Sequence, residues 1–412
     1  MTSSAGKGSS SGFKYTRPGP VAQFFISLVV QRVIPTVFGL LRRFAPVFRF
    51  PFTNTVLVTS FDYVQEVCAR HNDFTVPYQR QVDHLDWVPT FLLAMKDTPA
   101  YWETMKQVKA LWRTEDLAFV REIAKDVSEN ALDKAGDRID AIQELMVPVT
   151  EAVIGRYYGV SIPADIRQDF FDGAMYLAGF LFGSQNMTPA SIAKAQSAVA
   201  VVWEVIDASI AAAHKTPLPD NTIIGRCIAD KVTDDKHLRS YLMGMILGYL
   251  PTNTIANGHA LGVIMNNADG YKYGVAAAEK GDYDMVLKVV HESLRISYIL
   301  PGLWRTTSED QELGLGTGKS HKIAKGRMIY FSLMSAMMDS RRIPDPNRFD
   351  PNRPRDVYMI YGYQFHYCVG AAIADVMMEE IFMALLRRAP KQAGKVQYNG
   401  NFIWNMPLSY KN

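Results

Sequence analysis

Tyr361–Gly370 reads YGYQFHYCVG and runs directly into an amphipathic stretch, AAIADVMMEEIFMALLRR, over 371–388. A cysteine in a glycine-bounded loop just ahead of a helix N-terminus has its thiolate favoured by backbone N–H donors and the helix dipole. Cys368 is therefore a candidate soft ligand. Gly362 and Gly370 would let a flat macrocycle approach the backbone, which a Cβ would obstruct. His366, two residues before the cysteine, is placed to donate to an anionic group at the rim. Cys68 and Cys227 stand in no such setting and read as buried structural thiols.

Upstream, Glu292 and Arg295 (HESLR) sit at i and i+3 of a helix expected over 283–297, where they can pair. Arg305 follows ten residues later, and Asp345–Pro354 (DPNRFDPNRP) sets Arg348 and Phe349 in a proline-fixed loop. The order ExxR, isolated Arg, P-x-R-F loop, then F/Y-G-x-x-x-H-x-C-x-G resembles the cytochrome P450 superfamily. The motif match spans about 285–390. VTSFDYVQEV near the start and AMMD at Ala336–Asp339 extend the coarse pattern over most of the chain.

The resemblance implies a mainly α fold with minor β, in one domain, with haem b (iron protoporphyrin IX) between a long distal helix and the helix after the cysteine loop. Cys368 would be the proximal thiolate ligand of the iron, pushing electron density toward it. His366 and Arg305 would bind the haem propionates. Glu292, Arg295 and Arg348 would form a buried triad holding the ligand loop, a grouping retained for geometry more than for stability.

Departures from the family pattern are as informative. Gln364 stands where the loop usually has its second glycine, and Tyr361 replaces the usual Phe. In Thr98–Arg113 (TPAYWETMKQVKALWR) the usual propionate-binding His and Arg positions hold Tyr101 and Met105. Lys106, Lys109 and Arg113 are the candidates to substitute. On the distal helix, Leu250 and Pro251 replace the oxygen-activating acid and first threonine. Pro251 removes one N–H and leaves the Leu247 carbonyl without its helical partner, so a kink is expected there. Thr252, Asn253 and Thr254 remain as distal hydroxyl and amide donors.

Two routes follow. In the first, Thr252, Asn253 or a substrate group serves the proton relay. The protein is then a monooxygenase inserting oxygen from O2 into a small apolar substrate, with electrons from a separate ferredoxin and reductase. In the second, it takes H2O2 or a lipid hydroperoxide as a reductase-independent peroxygenase, isomerase or dehydratase. A non-catalytic haem sensor is a third, non-enzymatic alternative.

Composition sets the frame. The chain has 412 residues, 48% hydrophobic and 21% charged, and 44 Lys+Arg against 41 Asp+Glu leave a net charge of +3. Such a balance gives no electrostatic case for a nucleic acid partner. Three scattered cysteines form no disulfide framework and suit a reducing, cytoplasmic setting. Residues 1–20 read as a disordered tail and 21–412 as one haem-thiolate domain. The apolar run Val21–Val30 is interrupted by Gln31 and Arg32, so an ordinary packed arm is expected, with peripheral membrane contact as its alternative.

A strand is expected at Thr55–Thr59 and a helix at about 61–71. Further helices are expected near 98–112, 115–133, 137–158, 163–182, 189–214, 236–266, 283–297 and 371–388. Gly314–Ser320 (GLGTGKS) imitates a phosphate loop. Leu313, however, holds the place of its first glycine, so the segment reads as a hairpin turn.

Overall fold

The computed structural model describes residues 17–183, 185–315 and 317–410. Most of the expected N-terminal tail, residues 1–16, lies outside that range. Its organising element is the helix Asp235–Asn266, the distal helix, which is buried around most of its circumference. Such a helix is apolar all round rather than along one stripe, as MGMILGYL at 243–250 shows. Asp234 caps it by accepting from the His237 N–H at 2.8 Å, satisfying one of the free amides of the first turn.

The helix Ala371–Arg387 lies across the core below it, packed on Leu117–Ala135. Met377, Ile381, Phe382 and Leu385 are buried there, each contributing roughly 1.5–3 kcal/mol on burial. At the rim Arg121 pairs with Glu379 and Glu380 at 2.5 and 2.8 Å.

Five strands form the main sheet in the spatial order Val47–Arg49, Thr55–Val58, Met328–Phe331, Leu303–Thr307, Phe74–Thr75. Thr55–Val58 runs parallel to Met328–Phe331, and Leu303–Thr307 pairs antiparallel with the latter through Arg305↔Ile329. That strand delivers Arg305 to the interior.

The expected helices are present, with ends shifted by a few residues: Pro99–Leu111, Leu117–Ala135, Arg167–Phe182, Pro189–Lys215, Tyr283–Ile296. The 137–158 segment begins instead as the strand Arg138–Asp140, drawn out by pairing with Pro407–Ser409. The short helices that were not expected include Ile223–Asp230 and Ala268–Glu279, each capped by a side chain accepting from the first turn, Thr222 and Asn267. The GLGTGKS segment joins the paired strands Gln311–Leu313 and His321–Ile323, as a hairpin turn does. Its Gly316 lies outside the described residues.

Near the N-terminus, Pro20–Phe44 runs as helix from end to end, with a wider turn at Val29–Val33. Gln23 exchanges two hydrogen bonds of 2.8 Å with the Gly400 backbone. Arg42 donates to the Ser335 carbonyl and hydroxyl at 2.9 and 2.8 Å.

Candidate functional site

Between the distal helix and the cysteine loop lies a cavity of about 1330 Å³, counting its open mouth. Gly244, Gly248, Tyr249, Thr252, Asn253 and Ala256 line its roof, and Gly362, His366, Cys368 and Gly370 its floor. Leucines, isoleucines and aromatics form most of the walls, and no carboxylate lines it among the described residues.

The floor is fixed by its backbone. The Cys368 N–H donates to the Tyr361 carbonyl at 2.9 Å, folding the loop back on itself. Gly362 has φ +80°, a conformation that costs other residues about 1–2 kcal/mol. A Cβ on Gly370 would meet the Trp112 ring at 2.7 Å, so this glycine makes room for an indole as well as bordering the cavity. Gln364, at the place of a family glycine, is held at φ 58°.

Cys368 is exposed toward the cavity it lines, with protein packed around it on its other sides. Burial pushes its thiol up to about 11; the Gly370 N–H pulls it down, and the Asp375 carboxylate pushes it further up. The helix-terminus stabilisation expected of this loop is therefore present but outweighed by burial, and a metal would have to displace the proton on binding. His366 is held neutral, lowered to about 3 by burial, then by Arg305 and His71.

Arg305 supplies the test of what the cavity suits. Its side chain is 4% exposed. Nη1 donates to the Trp304 carbonyl at 2.8 Å, while Nε has no partner and no carboxylate pairs with it among the described residues. A buried guanidinium left this way calls for an anionic partner. Arg305, Gly362 and His366 line a space adjoining the main cavity. A flat macrocycle with acidic side arms, over a thiol floor and beside this cation, fits the residues present.

Of the other sequence candidates, Lys106 and Lys109 are exposed and absent from the cavity wall. That corrects their expected place: Tyr101, not either lysine, faces inward from the Pro99–Leu111 helix. Arg113 pairs with Asp116 at 3.1 Å.

Glu292 and Arg295 are fully buried and paired through both carboxylate oxygens at 2.8 Å. Arg348 is not their third partner. It is largely exposed and pairs with Asp350 at 2.7 Å. Arg353 takes the place: Nε donates to Glu292 at 3.1 Å, and its other nitrogens donate to the carbonyls of Pro344, Asp345 and Arg348. DPNR occurs twice in DPNRFDPNRP, and the second copy is the one that turns inward. Asp350 N–H and the Tyr358 hydroxyl complete the shell around Glu292.

The distal helix is unbroken through Pro251, so the expected kink does not interrupt it. Three successive side chains shore up this region, donating back to carbonyls four residues earlier. These are Thr252 to Gly248, Asn253 Nδ2 to Tyr249 at 2.8 Å, and Thr254 to Leu250 at 2.8 Å. Thr252 and Asn253 line the cavity; Thr254 is buried away from it, which removes it from the distal candidates.

Sequence reasoning missed one cluster. The hydroxyl that distinguishes Tyr361 from Phe donates to Asp375 at 2.5 Å, and His291 meets the same oxygen at 2.7 Å. The signal was the substitution itself, since a buried phenol needs a partner.

The cytochrome P450 family model matches residues 280–389, the segment that builds the cavity floor and the Glu292 cluster. That segment belongs to the cytochrome P450 family. Haem b is the cofactor of that family and of this P450. Cytochrome P450 107B1 of Saccharopolyspora erythraea is 26% identical over 301 residues, 71% of this chain and 69% of that one. The erythromycin C-12 hydroxylase of the same organism is 26% identical over 298 residues, 69% and 70% of the two chains. A bifunctional dioxygenase-epoxy alcohol synthase of Fusarium oxysporum is 31% identical over 157 residues, 33% of this chain and 12% of that one. Among solved structures, a mutant of P450 EryK in complex with erythromycin B superposes with a TM-score of 0.78 at 19% identity. It covers 94% of this P450 and 98% of that chain.

Proposed function

We propose that this P450 is a monooxygenase that inserts oxygen from O2 into a small apolar organic substrate, with electrons from a separate ferredoxin and reductase. The observation that carries the reading is the apolar cavity with a cysteine on its floor and a two-residue polar patch, Thr252 and Asn253, on its roof. Bound there, haem would supply iron-centred oxygen activation, strengthened by the electron-rich Cys368 sulfur. Cys368 is the residue to hold the iron. Arg305 and neutral His366 would donate to the propionates, and Gly362 and Gly370 would leave room for the ring.

The chain's own contribution is orientation, dryness and proton handling. Phe91, Phe182, Leu294 and Leu300 exclude water and hold an apolar substrate. Asn253 uses one amide hydrogen on the Tyr249 carbonyl, leaving the second hydrogen and Oδ1 to position a water. We expect Asn253→Leu to lower turnover about a hundredfold while the haem spectrum is unchanged, measured by product formation beside the absorption spectrum.

Gly248 has open space where its Cβ would be, directly in the roof. Filling it with Gly248→Leu should weaken binding of apolar ligands about tenfold or more, read as the ligand-induced Soret shift, with haem content preserved.

The absence of a carboxylate from the cavity lining among the described residues, with Leu250 and Pro251 at the usual acid and threonine positions, favours a second reading. In it a hydroperoxide or H2O2 is the oxidant and no reductase is needed. The matched Fusarium stretch, whose protein is an epoxy alcohol synthase by name, accords with it. Turnover with a surrogate ferredoxin and reductase, set beside turnover on hydrogen peroxide and a fatty-acid hydroperoxide, decides between them. Product only with the electron donor supports the monooxygenase; product only with the peroxides replaces it.

A further inference from the structure

The N-terminal helix is apolar on its outer face as well as on the stripe Ile26, Val30, Ile34, Phe38 and Leu41 that it turns to the body. A surface helix of a globular protein buries its apolar stripe and exposes its polar face. Along Pro20–Phe44 the polar side chains Gln23 and Arg42 are the ones hooked onto the body, by Gly400 and Ser335. Phe38 is buried against the body, but most of the large apolar side chains point outward: Val21 is 71% exposed, Phe24 64% and Phe44 74%. Of the seventeen exposed large apolar side chains among the described residues, eleven fall between Val21 and Phe52. That is a continuous patch, not the scattered exposure expected of any surface.

Charge says what covers the patch. Residues 1–61 hold seven Lys and Arg and no Asp or Glu; the first carboxylate is Asp62. The rest of the sequence is correspondingly acidic, since the whole carries only +3. Arg32 and Arg43 are exposed on this helix and pair with no carboxylate among the described residues. Aromatic and aliphatic side chains interleaved with unpaired arginines match the interface of an anionic bilayer, where rings and alkyl groups enter the acyl boundary and guanidinium groups meet phosphates.

We propose that the Pro20–Phe52 segment docks this protein on the surface of an anionic lipid bilayer, with the helix lying in the membrane plane. The helix is long enough to cross a membrane. Its two hooks, however, are nineteen residues apart and hold both ends against the body, whereas a spanning helix would have to leave it. Gly400 belongs to the turn whose neighbour Asn401 accepts from His259 of the distal helix at 3.2 Å. The Gln23 hook thus ties the docking helix, through the Gly400–Asn401 turn, to the element that roofs the cavity.

Flotation of the full-length holoprotein with phosphatidylcholine vesicles, with and without phosphatidylserine, tests this. The protein is expected to float with the anionic vesicles and to be released by alkaline carbonate. Phe24→Asp with Phe25→Asp should lower the bound fraction about tenfold. Arg32→Glu with Arg43→Glu should abolish the preference for anionic over neutral vesicles. Both variants should keep the wild-type reduced carbon monoxide spectrum, which separates lost docking from lost fold. Failure of the wild type to float, or equal binding by the phenylalanine variant, overturns the proposal. Resistance to carbonate overturns the in-plane arrangement in favour of a spanning one. A concentration-dependent dimer that the phenylalanine variant abolishes, without vesicle binding, assigns the patch to a second copy of the chain instead.

Discussion

Cys368→Ala abolishes the red-shifted Soret band of the reduced carbon monoxide complex and, with it, all product formation, whichever oxidant is supplied. The expectation rests on position. Cys368 is the cysteine whose sulfur opens onto the cavity, whereas Cys68 and Cys227 are buried. Burial raises the Cys68 thiol to about 11 as it does that of Cys368, but Cys68 has no helix-terminal N–H to offset it. Serine variants of Cys68 and Cys227 should therefore keep the band. Haem content measured on the same preparations separates loss of the thiolate from loss of the cofactor. Retention of the band by Cys368→Ala would sink the assignment.

Arg353→Ala is expected to destabilise the protein by about 3–5 kcal/mol, because it strips one charge partner from a fully buried carboxylate. It also removes the donors that gather the Pro344, Asp345 and Arg348 carbonyls into one loop. Urea denaturation of the holoprotein measures the loss, and haem should leave at lower denaturant than in the wild type. Arg348→Ala, at the matching place in the first DPNR copy and pointing into solvent, should leave the midpoint where it was. The opposite outcome would return Arg348 to the cluster.

The contrast shows where the sequence was legible. Helices were readable because long apolar-periodic runs with capping residues leave few alternatives, as in 236–266. The cysteine loop was readable because chemistry and spacing coincide in ten residues. The choice between Arg348 and Arg353 was not, since each ends the same tetrapeptide DPNR and only the turn at Asp350–Asn352 decides which side chain enters the core. Lys106 and Lys109 failed for a related reason. Helical spacing fixes which residues share a face but not which face turns inward, and that is set by Tyr101, Val108 and Leu111 burying together. The Tyr361–Asp375–His291 contact joins the cysteine segment to His291, 84 residues before Asp375, and no local pattern announces it.

The three back-bonded side chains after Pro251 serve two masters. Thr252 and Asn253 brace the helix and also furnish the polar patch of the roof, so a variant at either position perturbs scaffold and chemistry together. Thr254 makes the same kind of bond to Leu250, yet contributes nothing to the cavity wall. The molecule thereby carries its own control. Whatever Thr254→Val does to turnover measures the mechanical share of the defect, and the excess seen at Thr252 or Asn253 is the share owed to proton handling.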